Sequence, residues 1–400
     1  MKKLRVGILF GGRSGEHEVS LLSAASIFKA IDKNKYEVVP IGITKQGRWL
    51  TADHAERLLH GQEDAPAGGG RATPLRAGDP DATPSAAVLA KGEAVIVPPV
   101  PGRDSSHSLV PFQNHYPVAA HSAVNVDVIF PVLHGTFGED GTIQGLLELA
   151  DIPYVGAGVL GSSAGMDKDV MKRLFRDSGL AIPKHVTVLR SDWEEDHKGV
   201  RKLIEKNLKY PLFVKPVNLG SSVGVSKARE RSELASAMEE ASRYDRKIIV
   251  EEGVGGKKGK AREIECSVLG NDRPEASVAG EVVPCKEFYD YEAKYLAEGS
   301  ELLIPAKISK KQQKQVQEMA VRAFQAVDCA GMARVDFLMD PRTQKIYVNE
   351  INTIPGFTSI SMYPKLWAAS GISYPQLIDR LIRLALERHG EKKKTKFSRE

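Results

Sequence analysis

Asp336, Glu350 and Asn352, with Arg334 two residues ahead of the first, are the side chains of this 400-residue chain best suited to chemistry. They lie in GMARVDFLMDPRTQKIYVNEINTIPGFTSISM, residues 331–362. RVDFLM and KIYVNEIN are rich in β-branched and apolar residues and flank DPRTQ, which predicts a β-hairpin. A five-residue loop over Pro341–Lys345 sets Asp336 opposite Glu350 and Arg334 opposite Asn352. Period-two alternation then puts those four on one face and Val335, Phe337 and Ile351 on the other. Two carboxylates about 5 Å apart repel each other unless something positive lies between them. Mg²⁺ takes carboxylate and amide oxygens and leaves its remaining positions to water or phosphate. Arg334 adds a fixed planar cation suited to an oxyanion or a carboxylate. A surface hairpin with a merely wet polar face would explain one acid pair. Four such residues on one face, running into the Pro355–Gly356 turn with Thr358, Ser359 and Ser361, point to a metal–phosphate site.

Other segments supply what such a site needs. LFVKPVNLGSSVGVSK (Leu212–Lys227) reads as a strand, a Gly/Ser loop and a second strand. Gly220 and Gly224 permit close backbone approach, Ser221 and Ser222 offer hydroxyl and N–H donors, and Lys215 can neutralise phosphate, with Lys168 upstream. The loop is not a Walker A motif, since GxxxxGK[ST] is absent. KIIVEEGV (Lys247–Val254) is a strand ending in Glu251 and Glu252, where backbone could pair with an adenine edge and Glu263 reach a ribose; solvated glutamates are the plainer alternative. Glu16, in GGRSGEHEVS, could hold an ammonium group; alternatively Glu18, or Glu16 itself, caps the following helix and favours its dipole. His134, in HGTFGEDGT, reads as a loop histidine hydrogen-bonded to backbone. Lys294 and Tyr295, in EFYDYEAKY, adjoin an irregular segment of the kind that folds over a ligand.

Positioning these residues requires a mixed α/β scaffold. Strands are expected at Arg5–Phe10, Tyr36–Ile43, Val126–Leu133 and Ile152–Val155, with helices at Val19–Ile31 and Thr142–Ala150. That alternation implies a parallel, doubly wound sheet with its ligands at the carboxyl ends of the strands. Gly61–Ser122, rich in Gly, Pro and Ala, reads as a long, partly disordered insertion with one short strand in AVIVPPV. The expected organisation is a substrate-binding domain at 1–165, a central subdomain with the Gly/Ser loop at 166–251, a C-terminal subdomain with the metal hairpin at 252–390, and a disordered basic tail at 391–400.

Composition narrows the partners. The chain is 42% hydrophobic and 27% charged, an ordinary globular balance. The net charge is +5; residues 390–400 hold four Lys, one Arg and two Glu, which is +3 of it. A solvated tail explains that excess, and nucleic acid is not an expected partner. No apolar run approaches the roughly 18 residues of a membrane span. Cys266, Cys285 and Cys329 are few and widely spaced, so neither a disulfide framework nor a zinc site is expected, and a reducing cytoplasm fits. A nicotinamide-binding dehydrogenase is excluded because GGRSGEH lacks GxGxxG spacing.

Taken in order, GGRSGEHEVS, LHGTFGEDGTIQG, MDK, KPVNLGSSVGVSK, EIECSVLGN, FYDYEAKY, ARVDF and NEINTIPGFTSISMYPKL resemble the D-alanine–D-alanine ligase family of the ATP-grasp superfamily, from about Lys3 to Leu386. The resemblance implies ATP-dependent joining of two D-alanines through an acyl phosphate, for cell-wall precursors. It implies two Mg²⁺ (Mn²⁺ is an alternative) on Asp336, Glu350 and Asn352. ATP would be contacted by Lys168, Lys215 and Lys294, with Glu251, Val254 and Glu263 placing adenosine, and Ser222, Glu252 and Asn349 completing the nucleotide side. Glu16 would hold the first D-alanine's ammonium near His134. Arg334 and the Gly356 N–H would face the oxyanion, and Ser361 and Met362 the second D-alanine. Ser221 and Tyr295 would tie the mobile covers to Glu16. A homodimer is implied as well. The chain departs from the family pattern at Gly61–Ser122, which is longer than in short members, and at GGKKGK (Gly255–Lys260), which adds residues just before Glu263. The rivals are ligases making D-alanyl-D-lactate or D-alanyl-D-serine, against which Tyr295 argues, and a catalytically inactive nucleotide-binding module.

Overall fold

The computed structural model describes residues 3–47, 49–51, 93–98, 107–113, 116–117, 124–256, 259–283, 301–358 and 360–398. These form three sheets of eight, four and five strands.

The first sheet begins with β1 (Leu4–Gly11), whose VGILF run is buried, as a strand covered on both faces must be. Helix α1 (His17–Ala30) crosses over to β2 (Tyr36–Ile43), which pairs parallel with β1. β3 (Trp49–Thr51), β4 (Glu93–Ile96), β5 (His107–Gln113) and β6 (Tyr116–Pro117) then extend the sheet antiparallel. β7 (Val124–Val126) pairs with β5, and β8 (Val128–Pro131) lies parallel to β1. The doubly wound expectation thus describes β2–β1–β8, and the rest is a mixed extension. The single strand expected over Val126–Leu133 is broken at Asp127, whose carboxylate accepts from the backbone N and guanidinium of Arg5 at 2.7 and 2.8 Å. The segment Ile152–Val155 makes only an isolated bridge, Tyr154 to Ile129. Within Gly61–Ser122 the described pieces are strands β4 to β6, three where one was expected; the remainder lies outside the described residues.

Helices α2 (Thr142–Leu149), α3 (Val159–Met166) and α4 (Lys168–Asp177) lead to the second sheet. Asp167 caps α4 by accepting from the N–H groups of Asp169 and Val170. The sheet comprises β9 (His185–Leu189), β10 (Leu212–Pro216), β11 (Ser226–Ala228) and β12 (Lys247–Glu252), in the order β11–β10–β12–β9. One face is covered by α5 (Arg190–Glu195), α6 (His197–Asn207) and α7 (Leu234–Ser242).

The third sheet runs β15–β14–β13–β16–β17, with β13 (Arg262–Gly270), β14 (Glu275–Val283), β15 (Glu301–Leu303), β16 (Gly331–Met339) and β17 (Ile346–Asn352). Helix α8 (Lys310–Ala326) starts from a Ser309–Gln312 capping box and buries Val316, Ala320, Ala323 and Phe324 beneath this sheet. Two final helices, α9 (Met362–Ala369) and α10 (Tyr374–Lys392), return to the first sheet. There Tyr363, Trp367, Leu377, Leu381 and Ile382 join Val6, Ile8, Leu21 and Phe130 in one core. Helix α10 continues to Lys392, two residues into the expected tail.

Candidate active site

The hairpin β16–β17 carries the expected pairing, Arg334 with Asn352 and Asp336 with Glu350. Its route there differs from the five-residue loop. The turn spans Asp340–Lys345, with Met339 paired to Ile346, and the register shifts between Asp336 and Phe337, leaving Asn349 as an extra residue on β17. The bulge recovers the offset introduced by the longer turn. Val335, Phe337 and Ile351 are buried on the apolar face, as alternation requires.

On the polar face, Arg334 Nε and Nη2 each donate to an Asp336 carboxylate oxygen at 2.7 Å, and Asn352 Nδ2 donates to Asp336 Oδ2 at 2.9 Å. Glu265, opposite Asp336 on β13, pairs with Arg334 at 3.0 Å. Lys168 Nζ lies 3.9 Å from Glu350 and donates to the Leu219 carbonyl at 2.8 Å. The expected repulsion between the two acids is therefore met in part by the chain's own cations. The donor set still fits a hard divalent ion: Asp336, Glu350 and Asn352 present oxygens to one cavity, and beside them Asn349 Oδ1 is buried with no hydrogen-bond partner among the described residues.

That cavity encloses about 840 Å³ between the second and third sheets. Lys168, Lys215, Ser221, Ser222, Glu251, Glu252, Val254, Glu263, Asn349 and Glu350 all line it, with Asp336 and Asn352 on its floor. Ser221 and Ser222 both adopt left-handed backbone, with φ of 49° and 59°, the kind of strain that accumulates at working loops. Lys215 pairs with Glu251 at 2.7 Å. Burial raises the Glu251 carboxyl, but Lys172 and Lys215 outweigh it and hold the group well below the usual carboxylate range. Burial likewise opposes the Lys215 ammonium, yet the Glu251 and Glu350 carboxylates raise it.

A smaller cavity of about 70 Å³ adjoins it, sharing Ser221 and Asn352, and is lined by Glu16, His134, Arg334, Gly356, Ser361 and Met362. The Glu16 side chain makes no helix cap; the Ser221 hydroxyl donates to it instead, so the capping alternative is set aside. Gly135 is left-handed, which favours glycine, and a Cβ there would stand 2.6 Å from Glu16 Oε2 and displace that carboxylate. His134 contacts the Ile354 carbonyl through Nδ1 at 3.0 Å and Ser23 Oγ through Nε2 at 3.1 Å. Burial pushes its imidazole down, against the charge of Glu16. Ser361 Oγ accepts from the Thr358 N–H at 3.0 Å.

Three groups here were not picked out from the sequence. Glu139 accepts from the N–H groups of Gly135 and Ile354 at 2.8 and 2.9 Å, and burial, then the charge of Glu16, raise its carboxyl to about 7. Glu265 follows Glu263 by two, so strand alternation was its signal. Lys172 follows Lys168 by four on α4. Lys294 and Tyr295 lie outside the described residues.

Two antiparallel sheets gripping a cleft from opposite sides, with carboxylate and amide side chains of a hairpin lining it, define an ATP-grasp protein. The family model described as the D-ala D-ala ligase N-terminus matches residues 5–157, and that of the C-terminus matches residues 174–383. A D-alanine–D-alanine ligase of Natranaerobius thermophilus is 48% identical over 393 residues, 98% of this chain and 97% of that protein. The structure of the D-alanine–D-alanine ligase from Coxiella burnetii superposes with a TM-score of 0.79 at 37% identity, covering 98% of this chain and 97% of that one. The VanG D-Ala:D-Ser ligase of Enterococcus faecalis gives 0.78 at 37% identity, covering 96% and 100%. The chain belongs to the D-alanine–D-alanine ligase family.

Proposed function

We infer that this chain is an ATP-dependent ligase that joins two D-alanines into D-alanyl-D-alanine for cell-wall precursor synthesis. The observation that carries the reading is the single hairpin face, Arg334, Asp336, Glu350 and Asn352, set where a nucleotide-sized cavity meets a second one sized for small substrates. ATP occupies the larger cavity, with Lys168 and Lys215 toward its phosphates, Ser222, Glu252 and Asn349 along the nucleotide, and Glu251, Val254 and Glu263 toward adenosine. Asp336, Glu350 and Asn352 hold two Mg²⁺, which when bound neutralise phosphate charge and leave the protein chiefly a positioning task. Glu16, beside His134, takes the ammonium of the first D-alanine, so its carboxylate faces the terminal phosphorus of ATP and attacks it, forming the acyl phosphate as the bond to ADP breaks. The amine of the second D-alanine, placed by Ser361 and Met362, attacks that carbonyl; Arg334 and the Gly356 N–H stabilise the oxyanion, and phosphate leaves. Water must be kept out because an acyl phosphate hydrolyses, and the Ser221–Glu16 contact holds the Gly/Ser loop over the junction. Lys294 and Tyr295 belong to the second cover. The working unit is a homodimer in the cytoplasm, where ATP is supplied.

ADP release measured with D-alanine, L-alanine, D-serine and D-lactate, with the product identified at each, tests this reading. D-alanine alone should give sustained turnover and the dipeptide. A D-alanyl-D-serine or depsipeptide product dominating at neutral pH would move the chain to the specificity named for the VanG relative or to a lactate ligase. ATP binding without turnover on any D-amino acid would favour an inactive module.

A further inference from the structure

We propose that Lys172, which lines neither cavity, is a positioning residue for the nucleotide end of the site: it satisfies Glu251 so that Lys215 keeps an uncancelled positive charge for phosphate. The inference rests on the larger cavity being the nucleotide site. Lys168 and Lys172 stand one turn apart on α4 and so leave the helix on one face. Lys168 ends at the cavity. Lys172 runs inward, its side chain 1% exposed, with Nζ 2.9 Å from Glu251 Oε1 and donating to the Asn349 carbonyl at 2.9 Å. From the cavity side, Lys215 takes the other Glu251 oxygen at 2.7 Å. An apolar side chain would fill the same space without the cost of desolvating an ammonium, so packing does not account for a lysine here.

Charge does. Two ammonium groups share the Glu251 carboxylate, and of the two only Lys215 lines the cavity, where Glu350 and Glu263 also act on it. Without Lys172, Glu251 and Lys215 close into a neutral pair and the phosphate site loses one charge. The Asn349 carbonyl is released at the same time, and with it the bulge that precedes Glu350. Lys172 thus ties the adenosine side of the cavity to the metal hairpin.

The test compares Lys172→Met, Lys172→Gln and Lys172→Arg with Lys215→Met, measuring thermal stability and separate KM values for ATP and for each D-alanine. Lys172→Met and Lys172→Gln should raise KM for ATP about tenfold, leave both D-alanine KM values within about twofold, and be largely rescued in Lys172→Arg. A folded Lys172→Met or Lys172→Gln protein with an unchanged KM for ATP would overturn the proposal, as would equal shifts for ATP and D-alanine. Failure of all three variants to fold, Arg included, would make the role purely structural and also overturn it. Lys215→Met separates the two levels. If it raises KM for ATP while Lys172→Met does not, only the Lys172 inference falls; if neither does, the nucleotide assignment itself falls.

Discussion

Arg334 is fixed by Asp336 on one side and Glu265 on another, so its guanidinium plane is set before any substrate arrives. Lysine would keep the charge but lose the planar fork. Arg334→Lys is therefore expected to melt like the parent and lose most of its ADP-forming activity; a rate within about threefold of the parent would contradict an oxyanion role. If Asp336 and Glu350 hold the metal as proposed, Asp336→Ala or Glu350→Ala should abolish turnover at any Mg²⁺ concentration, and near-normal rates would refute the hairpin assignment. Glu139 makes a prediction about pH. Its carboxyl, raised from 4.5 to about 7, holds a proton in the folded chain that the unfolded chain has already lost. The stabilisation it contributes is complete below the unfolded value and is lost as pH rises through 7. Relative to Glu139→Gln, the parent should lose up to about 1.4 kcal/mol of unfolding free energy per pH unit between those values. Denaturant titrations across that window check it, and a pH-independent difference would rule it out.

At the scale of elements, the turn after β17 depends on one ring. Phe357 is buried between Phe130, Tyr363 and Tyr374, with ring centroids 5.5 to 5.8 Å away, and its N–H donates to Ser23 at 3.3 Å. Phe357→Ala should cost about 3–5 kcal/mol in a denaturant melt. Because Gly356 is its neighbour and the Gly356 N–H is proposed to face the oxyanion, kcat should fall while KM for ATP stays within about twofold; an unchanged kcat would show the turn to be positioned by something else. The hairpin itself was legible from alternation and turn residues, and so was which side chains share a face. Its bulge was not, because turn length and an extra residue compensate in the register, and only backbone pairing separates them. Glu265 was hidden for another reason: alternation places it with Glu263, but not which strand lies beside β13. Lys172 shows the limit of helical spacing, which gives a face without saying whether that face meets solvent or a buried carboxylate. Two of the three strands within Gly61–Ser122 escaped because their composition is that of a segment unable to build its own core; β4 takes the edge of β3, and β5 and β6 add outward from it.

Across the whole molecule, ligand and fold are linked. A nucleotide held between the second and third sheets binds the folded chain and not the unfolded one. Saturating MgADP at about one hundred times its Kd should add about 2.7 kcal/mol to stability. A thermal melt reads this as a raised Tm that vanishes when the metal is chelated, and an unmoved Tm would place the nucleotide elsewhere. That the chain builds a first, mixed sheet before two antiparallel ones follows the order of its segments. The return of the last helix to the first sheet was not legible in the sequence, since an amphipathic stripe does not name the surface it covers.

That return has a consequence for synthesis. Val6, Ile8 and Phe130 are sealed by Leu377, Leu381 and Ile382, so a ribosome delivers the opening strands long before their cover exists. The amino-terminal flank stays greasy and unsealed until the final helix clears the exit tunnel. Nascent chains cut short before Leu377 should therefore emerge as clients for chaperones and proteases and not as weakened enzymes.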